Sequence, residues 1–491
     1  MFAPASRVRA SRRTFLRSAT AASVGALLAA CSAPNAPTPA PSTVAAPTAA
    51  PTAAPQAAAA SPTAPAATTK PAAPTAAATA APAAAAKPAG AEKTKLTVWT
   101  NDSLYVDAFT KRSKEFAAKR PEVDFAIEES PGLSEDLAPL AMNGFQGADL
   151  VALDNTLLPR LFKGGLAANA LYDLKKWLTK EQIDGYTRWE MFSYDDKIYG
   201  VSAEMDLSAW YYQPAVLEKY AIDVKDVKTY DDFVNAGLKI AKDGKYLTMV
   251  NSNLMRIHQL EILTTQNDGG HFDAKGNVIV DSPQTIQAVQ LAYDMAKKHK
   301  VALVENKQGD PAAVKAFSDG TVASILHADW FGDYTMKKLL PQMAGKWRVA
   351  PLPVFKTGGR NTATRGGTAH GVTKTSKQAD LAWEFLQATY LDKENLVRIY
   401  QDTHYFPPMR AAWDDERVKS LKDPFFGDQV VGAVWASLAP SVSGNYAHPY
   451  KPEAIDITGK EALAPIFAGQ KSVEQGLKDA AAAIRKVIAS G

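Results

Sequence analysis

The side chains best suited to hold a polar ligand come directly after two short apolar runs. The runs are Lys95–Trp99 and Asp149–Leu153. The polar residues behind them are Asn101, Asp102, Asp154 and Asn155. Amides and carboxylates exchange hydrogen bonds with hydroxyl groups, and ligands of open α/β sheets bind beyond the carboxyl ends of the strands. We therefore predict that these four residues bind a ligand; the alternative for each is an ordinary helix N-cap or turn.

Trp330 is the leading candidate for an aromatic surface in the site. It follows the apolar run Val322–Leu326, and Asp329 beside it can accept hydroxyl protons. A carbohydrate presents hydroxyls, which need polar partners, and flat C–H faces, which pack on aromatic rings. An aromatic ring next to a carboxylate therefore favours a carbohydrate ligand, against the alternative of a tryptophan in the core.

Three dipeptides complete the predicted site. They are Trp210 and Tyr211, Tyr405 and Phe406, and Gly366 and Gly367. Neighbouring strand residues point to opposite faces, so one of the first pair is predicted to face the ligand while the other packs inward. The second pair precedes two prolines that hold a rigid turn at the rim. The glycine pair either lets the backbone approach a ligand closely or forms a plain turn.

An enzyme is the rival class, because a surface glycoside hydrolase also binds carbohydrate. Such an enzyme needs two carboxylates placed across the sugar bond, whereas the adjacent acidic pairs of this chain point to different sides. The chain has no Gly-x-Ser-x-Gly turn and no His-Glu-x-x-His helix. We predict a binding protein without catalytic residues, cofactor or metal, and the hydrolase stays as the less favoured alternative.

A pattern of strands and helices positions these candidates. The β run Lys95–Trp99 is followed by apolar residues at helical spacing, in a helix that must end before Pro121. Val123–Glu128 alternates like a half-buried strand, and residues 149–154 form a nearly continuous apolar strand, as in parallel sheets. The repeated order of strand, helix and strand predicts an α/β fold with right-handed crossovers.

Residues 1–30 predict export. Ser11–Leu16 carries a twin-arginine signal, Ala19–Ala30 is a small apolar run, and Leu28–Cys31 is typical of a lipoprotein processing site. Cys31 is the single cysteine of the chain, so the folded part has no disulfide. We expect residues 1–30 to be a signal peptide, and Cys31 to carry the lipid that anchors the exported protein to the outer face of the cytoplasmic membrane.

We expect residues 31–92 to be a lipidated cysteine and a disordered linker of Ala, Pro and Thr, because the segment has no aromatic residue with which to build a core.

The charge of the mature chain differs from that of the precursor. The signal peptide holds five of the 55 basic residues, which leaves 50 basic against 51 acidic residues after cleavage. This balance argues against a nucleic-acid partner. No apolar run of about 20 residues follows Cys31, so no transmembrane helix is predicted there.

The order and spacing of several later motifs resemble one family. These motifs are Asp196–Val201, Ser208–Pro214, Leu217–Tyr220, Asn267–Gly270, Phe317–Ala323 with Asp329 and Trp330, Ala350–Pro353, Gly366 with Gly367, and Thr375–Leu386. Over residues 94–488 the chain resembles the extracellular solute-binding proteins of family 1, the sugar-capturing subunits of ATP-driven importers. Ser202 and Gln213 depart from the Pro and Asn that many relatives have there.

The resemblance implies two α/β lobes of the type II periplasmic-binding-protein-like fold, with the ligand in the cleft between them. We expect the first lobe to comprise residues 94–203 and 313–371, and the second lobe residues 204–312 and 372–491. The chain is then expected to cross between the lobes near residues 202–206, 309–314 and 371–374.

The resemblance also implies a function and partners. A mono- or oligosaccharide would be captured by hinge closure and delivered to the permease subunits of an ABC importer. The protein is expected to be a monomer, held at the membrane through its lipid anchor and without a nucleic-acid partner. A sugar sensor for a membrane signalling protein would share the fold and the cleft, so it stays open as an alternative.

Overall fold

A computed structural model describes residues 93–130, 132–251, 258–305 and 309–491 of the 491-residue chain. The predicted signal peptide, Cys31 and the predicted linker lie outside the described residues. Within the described residues, no helix is both long enough and apolar enough to cross a membrane.

Strands and helices alternate along the described chain. In chain order the strands are β1 (Thr94–Thr100), β2 (Val123–Glu129), β3 (Leu150–Asp154), β4 (Ser193–Tyr194), β5 (Lys197–Ile198), β6 (Val201–Ser202), β7 (Ser208–Tyr212), β8 (Thr248–Asn251), β9 (Ala302–Glu305), β10 (Ser324–Ala328), β11 (Arg348–Ala350) and β12 (Thr368–Val372). The helices are α1 (Ser103–Lys119), α2 (Gly132–Glu135), α3 (Leu137–Met142), α4 (Leu166–Ala170), α5 (Lys180–Gly185), α6 (Pro214–Glu218), α7 (Tyr230–Ala241), α8 (His258–Gln266), α9 (Pro283–Tyr293), α10 (Pro311–Ser318), α11 (Lys337–Leu339), α12 (Ala379–Tyr390), α13 (Lys393–Thr403), α14 (Glu416–Ser420), α15 (Val431–Leu438), α16 (Lys451–Ile457), α17 (Ala464–Phe467) and α18 (Val473–Ala489).

The first sheet has the strand order β2-β1-β3-β12-β6. Strand β1 runs parallel to β2 and β3, while β12 is antiparallel to both β3 and β6. The predicted order of strand, helix, strand and buried strand over residues 95–154 is confirmed. Helix α1 begins after Asp102, whose Oδ1 accepts the backbone N–H groups of Leu104 (2.7 Å) and Tyr105 (3.1 Å), and it ends before Pro121.

The second sheet has the order β10-β7-β11, and both of its pairings are antiparallel. Strands β8 and β9 form a parallel pair. A single parallel bridge joins Tyr246, just before β8, to Val322, just before β10. This bridge ties the parallel pair to the antiparallel sheet, so the strands share one core region.

Each sheet is covered on both faces. In the first lobe, Leu96 and Val98 pack with Phe109 of α1 on one face, while Val151 and Leu153 lie in a separate cluster on the other. In the second lobe, β7 separates a cluster with helices α7, α9 and α18 from one with α14 and α15. A fully buried Leu or Val stabilises the fold by about 1.5–3 kcal/mol, so these clusters hold the helices against the sheet of each lobe. The fold is the two-lobed α/β architecture that was predicted.

Over the residues that the structure describes, the chain crosses between the lobes three times. The crossing segments are residues 203–207, 364–367 and 404–409, and each leaves one sheet or its covering helices for the other. The first crossing segment joins β6 to β7, and the second crossing segment leads into β12. The third crossing segment follows α13 and returns the chain to the second lobe.

The lobe boundaries differ from the prediction after residue 312. Residues 313–371 were predicted in the first lobe, but β10 and β11 within this range pair with β7 of the second. Residues 372–491 were predicted in the second lobe, but α12 and α13 pack on β1 and α1 in the core of the first. Strand pairing decides the first difference, and the aromatic contacts of Phe385 with Phe109 and Phe125 decide the second.

Candidate ligand-binding site between the lobes

The three crossing segments lie side by side and form a hinge. Backbone hydrogen bonds join them: Arg365 N to Asp206 O (3.1 Å) and Met205 N to Phe406 O (2.9 Å). A third bond runs from Ala203 N to the carbonyl of Thr368 (2.9 Å), directly after the second crossing segment. Short paired segments of this kind can absorb a small change in backbone angles while each lobe stays rigid. The side chains that they carry therefore lie where the two lobes meet.

Three carboxylates, hereafter the hinge carboxylates, converge at this hinge. Glu204 and Asp206 belong to the first crossing segment, and Asp329 follows β10 of the second lobe. Their exposed fractions are 4%, 0% and 3%. One oxygen of each lies within 4.8 Å of the others. Buried carboxylates this close together require a partner that supplies protons, hydrogen bonds or positive charge.

The protein supplies only part of what these carboxylates need. Glu204 Oε1 accepts a hydrogen bond from the Tyr105 hydroxyl (2.7 Å), and Asp329 Oδ1 accepts one from the Trp330 backbone N–H (2.9 Å). The other four oxygens, including both of Asp206, accept none from the described residues. Buried acceptors without donors cost about 1–3 kcal/mol each, so these four oxygens keep hydrogen-bonding capacity that the described residues do not use.

The electrostatics of the hinge carboxylates agree with this geometry. Burial raises the pKa of Glu204 well above its usual range, and Asp206 and Asp329 add to the effect. Burial and Asp329 do the same to the pKa of Asp206, although Arg188 and Arg365 oppose them. Burial raises the pKa of Asp329 to about 7, against the backbone hydrogen bonds that it accepts. Three negative charges at this point are therefore unfavourable without a ligand that donates.

Residues of both lobes enclose the hinge carboxylates. From the first lobe, Asn101 donates through Nδ2 to Thr368 Oγ1 (3.2 Å), but its own Oδ1 accepts nothing from the described residues. Asn155 is 1% exposed, and neither atom of its side-chain amide has a hydrogen-bond partner among those residues. From the second lobe, the half-buried Trp330 donates its indole N–H to Arg365 O (3.1 Å). Amide groups thus add donors and acceptors to the acidic end of the cleft.

A cavity of about 440 Å³ adjoins this acidic end. Its walls come from both lobes and include Asp154, Thr156, Arg160, Glu261, Thr265, His271, Arg365, Asn445, Tyr446 and Lys451. Arg365 connects the two parts, because it lines the cavity while its backbone N–H donates to the Asp206 carbonyl. The volume lies in the range of small-molecule sites and suits a ligand of a few rings.

Charged groups in the cavity wall are bonded to one another. Lys451 is buried and donates to Asn445 Oδ1 (2.7 Å), and Asn445 donates to Glu261 Oε1 (2.9 Å). The other Glu261 oxygen lies 3.3 Å from Arg365 Nε. Burial lowers the pKa of Lys451, although Glu261 and Asp154 oppose the shift. The cavity wall is therefore a linked polar network, in contrast to the acceptors at the hinge.

Two of the predicted aromatic pairs lie in the core. One of Trp210 and Tyr211 was predicted to face the ligand, but both are fully buried, because helices cover both faces of β7. Tyr405 and Phe406 were predicted at the rim, but they too are buried, in the core clusters of the first and second lobes. These four residues support the hinge from inside rather than line the cleft.

The remaining predicted residues differ in what they contact. Asp102 caps α1, and Asp154 accepts the backbone N–H groups of Thr156 and Leu157 while it also lines the cavity. The glycine pair makes close approaches to the protein itself. A Cβ on Gly366 would lie 3.0 Å from Trp330 Nε1, and one on Gly367 would lie 2.7 Å from Asp206 Oδ2. Asp329 is one of the hinge carboxylates and Trp330 follows it, while Asn101 bonds to Thr368 (3.2 Å) and the Asn155 backbone N–H bonds to Gly367 O (3.0 Å) at the end of the second crossing segment.

Sequence reasoning missed several residues of the site. Glu204 and Asp206 had a usable signal, since two acidic residues interrupt an apolar stretch at a predicted crossing. Glu261, Arg365, Asn445 and Lys451 had none, because they come from separate parts of the chain and meet only in the folded cleft. A buried lysine in particular cannot be told from a surface lysine by its neighbours in sequence.

Comparison with known proteins agrees with the fold. A family model described as bacterial extracellular solute-binding protein matches residues 105–425. An arabinooligosaccharide-binding protein of Bacillus subtilis is 25% identical over 410 residues, which cover 80% of this chain and 92% of that protein. Another of Halalkalibacterium halodurans is 24% identical over 348 residues, or 69% of this chain and 77% of the relative. The family and these relatives are binding proteins.

Solved structures share the two-lobed fold. The sugar-binding protein MalE of Xanthomonas citri has a TM-score of 0.66 at 17% identity and covers 81% of this chain and 98% of its own. A binding protein of B. animalis subsp. lactis, solved with β-1,6-galactobiose, has a TM-score of 0.63 at 20% identity and covers 81% and 97%. The family model spans well over half of the chain, and the described residues have the family's two lobes. The chain is therefore a member of the bacterial extracellular solute-binding protein family.

Proposed function

We propose that this protein is a membrane-anchored receptor that captures a mono- or oligosaccharide between its lobes and delivers it to the permease subunits of an ABC importer. The observation that carries the ligand class is the set of buried acceptors at the hinge. Four carboxylate oxygens, the side-chain oxygen of Asn101 and the side-chain amide of Asn155 offer hydrogen bonds that the described residues do not use. A saccharide presents many hydroxyl donors in a small volume, and the half-buried Trp330 ring can pack against its C–H face.

The hinge gives the capture mechanism. Tyr105 of the first lobe bonds to Glu204, and Trp330 of the second lobe bonds to Asp329, so moving the lobes apart would separate the two sides of the site. A ligand that bonds to both lobes favours the arrangement in which they meet, and the ligand-bound form then docks on the permease. The energy available for closure comes from hydrogen bonds that form only when both lobes contact the ligand.

Several observations support a saccharide over other solutes. The cavity beside the hinge has room for more than one ring and a wall of linked polar groups. Two relatives that cover most of this chain are named for binding arabinooligosaccharides, and a third, from Rhizobium radiobacter, is named for lactose. The site carries acids, amides and an indole, the side chains through which sugar hydroxyls and ring faces are bound.

The cellular setting follows from the start of the sequence. We propose that the chain is exported through its twin-arginine signal, cleaved before Cys31 and lipidated there, and that it works as a monomer on the outer face of the membrane. A lipid anchor keeps the captured solute near its permease. In a host with lipoprotein processing, Cys31→Ser is expected to move the protein from the membrane fraction to the soluble fraction. An unchanged membrane fraction would contradict the anchor.

Calorimetry against a saccharide panel tests the ligand class. The panel contains arabinobiose, arabinotriose, lactose, maltose and β-1,6-galactobiose, with a dipeptide and a polyamine as other solute types. Trp330→Ala should weaken saccharide binding by about 2 kcal/mol, because a central aromatic contact is lost. Trp177→Ala is the matched control, since Trp177 stacks on Trp383 (ring centroids 5.5 Å apart) away from the cleft.

Two outcomes would contradict the proposal. Binding of the dipeptide or the polyamine with no saccharide binding would remove the saccharide assignment. Release of product from chromogenic glycosides by the purified protein would move it to the hydrolase class, in which the hinge carboxylates would act on the sugar bond. We expect neither, and we expect stoichiometric binding without turnover.

A further inference from the structure

A second acidic cluster lies near the hinge. It shows which group of this protein binds between acidic side chains that lie this close together. The Lys337 cluster consists of Asp333, His404 and Asp423, and one possible ligand atom of each lies within 4.8 Å of the others. The Lys337 ammonium lies 2.7 Å from Asp333 Oδ1, 2.8 Å from Asp423 Oδ2 and 3.4 Å from His404 Nδ1. An ammonium group of the chain itself therefore completes this cluster.

The hinge carboxylates also lie close together, but among the described residues no ammonium bonds to them. One oxygen each of Glu204, Asp206 and Asp329 lies within 4.8 Å of the others. An ammonium that donates three hydrogen bonds of about 2.8 Å in tetrahedral directions holds its acceptors about 4.6 Å apart. Asp206 is fully buried, and neither of its oxygens accepts a hydrogen bond from the described residues. The upper limit of 4.8 Å on the oxygen separations is thus compatible with one ammonium that bonds to all three carboxylates.

Nearby guanidinium groups leave an excess of negative charge. Arg188 and Arg365 lie close enough to Asp206 to favour its charged form. The same two cations also face other acids, since Arg188 lies 3.2 Å from Glu190 and Arg365 lies 3.3 Å from Glu261. With Glu204 and Asp329, five carboxylates thus face two guanidinium groups and the Lys451 ammonium, which is linked to Glu261 through Asn445. A neutral hydroxyl can bond to such a site, but a cation also reduces the repulsion within it.

We propose that the ligand carries a protonated amine that binds the hinge carboxylates, so that the substrate class is an amino sugar or a short saccharide with a free amine. This inference rests on the proposed saccharide function and narrows it. The ammonium bonds to Glu204, Asp206 and Asp329, as Lys337 does in its own cluster. The half-buried Trp330 ring beside them suits a cationic ring substituent, and the rest of the ligand extends past Arg365 into the cavity.

Matched pairs of saccharides test this directly on the purified protein. Each amine is compared with its hydroxyl parent and its N-acetyl derivative: chitosan disaccharide with cellobiose and diacetylchitobiose, and galactosamine with galactose and N-acetylgalactosamine. We expect at least one free amine to bind tenfold or more tightly than both counterparts. Asp206→Asn should reduce that advantage to about twofold. Asp414→Asn, which removes the same charge from an exposed surface, should keep it.

The outcomes separate this inference from the function on which it rests. If neutral saccharides bind and no amine exceeds its parent tenfold, the amine assignment is wrong and the saccharide receptor stands. If no saccharide binds, both are wrong. If calcium chloride alone raises the melting temperature and prevents amine binding, the carboxylates hold a metal ion and the inference is overturned. The wild-type comparison decides these cases even if Asp206→Asn does not fold, and Glu204→Gln serves as the second variant.

Discussion

The hinge carboxylates and the Lys337 cluster are two acidic groupings of the same size that are neutralised in different ways. In the Lys337 cluster, a lysine four residues after Asp333 reaches both aspartates, and His404 of the third crossing segment joins them. At the hinge, Tyr105 and the Trp330 backbone supply single hydrogen bonds, and four carboxylate oxygens have no donor among the described residues. Among the residues that the structure describes, one cluster has its cation and the other does not.

This difference distinguishes buried acids that stabilise the fold from buried acids that are available to a ligand. A carboxylate whose partner is covalently part of the chain stabilises the fold, and removing the partner leaves a buried charge without compensation. A carboxylate without a partner destabilises the fold and is retained only if something else requires it, as binding sites do. The Lys337 cluster should therefore control stability, and the hinge carboxylates should control affinity.

The largest effect is expected from Lys337→Met. It leaves Asp423, whose side chain is 3% exposed, and Asp333 without their cation, so the free energy of unfolding should fall by about 3 kcal/mol. Urea denaturation measures this, and saccharide affinity should stay the same. Lys297→Met, at an exposed position, is the control and should change stability by less than about 0.5 kcal/mol. Equal effects of the two variants would remove the distinction between the clusters.

A pair of amide substitutions compares the clusters directly. Asp423→Asn weakens bonds to Lys337 Nζ (2.8 Å) and the Phe425 N–H (3.0 Å), so stability should fall by about 2 kcal/mol with affinity unchanged. Asp206→Asn removes a buried charge without hydrogen-bond donors, so stability should stay equal or rise. Its ligand affinity should fall by about 2 kcal/mol. Denaturation of both variants measures stability, and calorimetry measures affinity. A loss of stability in Asp206→Asn would contradict the expectation that one substitution lowers stability and the other lowers affinity.

The two clusters should also respond to pH with opposite signs. Burial raises the pKa of Asp329 from 3.8 to about 7, so the folded state binds this proton more tightly than the unfolded state. Stability from this group is complete below pH 3.8 and is lost as pH rises through about 7, by at most about 1.4 kcal/mol per pH unit. Asp329→Asn should flatten this decline in ligand-free protein, as followed by denaturation from pH 4 to 8.

Asp333 should contribute the opposite slope. Burial acts to raise its pKa, but the hydrogen bond with His404 and the charge of Lys337 outweigh burial and lower it. The folded state therefore holds Asp333 ionised more firmly than the unfolded state, and this stability is lost as pH falls through the lowered pKa. Asp333→Asn should make the free energy of unfolding less sensitive to acid. It should keep the decline in stability above pH 4 that Asp329 causes. The same pH dependence in Asp329→Asn and Asp333→Asn would show that the clusters do not differ.

Much of the fold could be predicted from the sequence, because local patterns determine it. The apolar runs of β1, β2 and β3, the cap at Asp102 and the stop before Pro121 are readable along the chain. The lobe boundaries after residue 312 could not be predicted, because the sequence does not show which sheet strand β10 joins. Its register with β7, from Ser324 opposite Tyr212 to Ala328 opposite Ser208, is a long-range contact.

The site was predicted in part for a related reason. Asn101, Asn155, Asp329 and Trp330 follow strands or lie at strand ends, where topology alone brings side chains together. Trp210, Tyr211, Tyr405 and Phe406 were misplaced because their neighbours in sequence do not reveal that helices from elsewhere cover them. The contrast between the clusters was equally hidden, because only the folded chain shows which acids have a lysine within reach.

The smallest expected effect comes from Trp330→Phe, which asks how the ring beside the hinge carboxylates contributes. The substitution keeps an aromatic face but removes the indole N–H that donates to Arg365 O (3.1 Å). Stability should fall by about 1 kcal/mol for one lost hydrogen bond, while saccharide affinity should change by less than about threefold. In the Lys337 cluster, a charged ammonium bonds to the acids. At the hinge carboxylates, Trp330 would instead contribute the apolar face of its ring. An affinity loss as large as that of Trp330→Ala would show instead that the indole N–H, through its hold on the second crossing segment, positions Asp206 for the ligand.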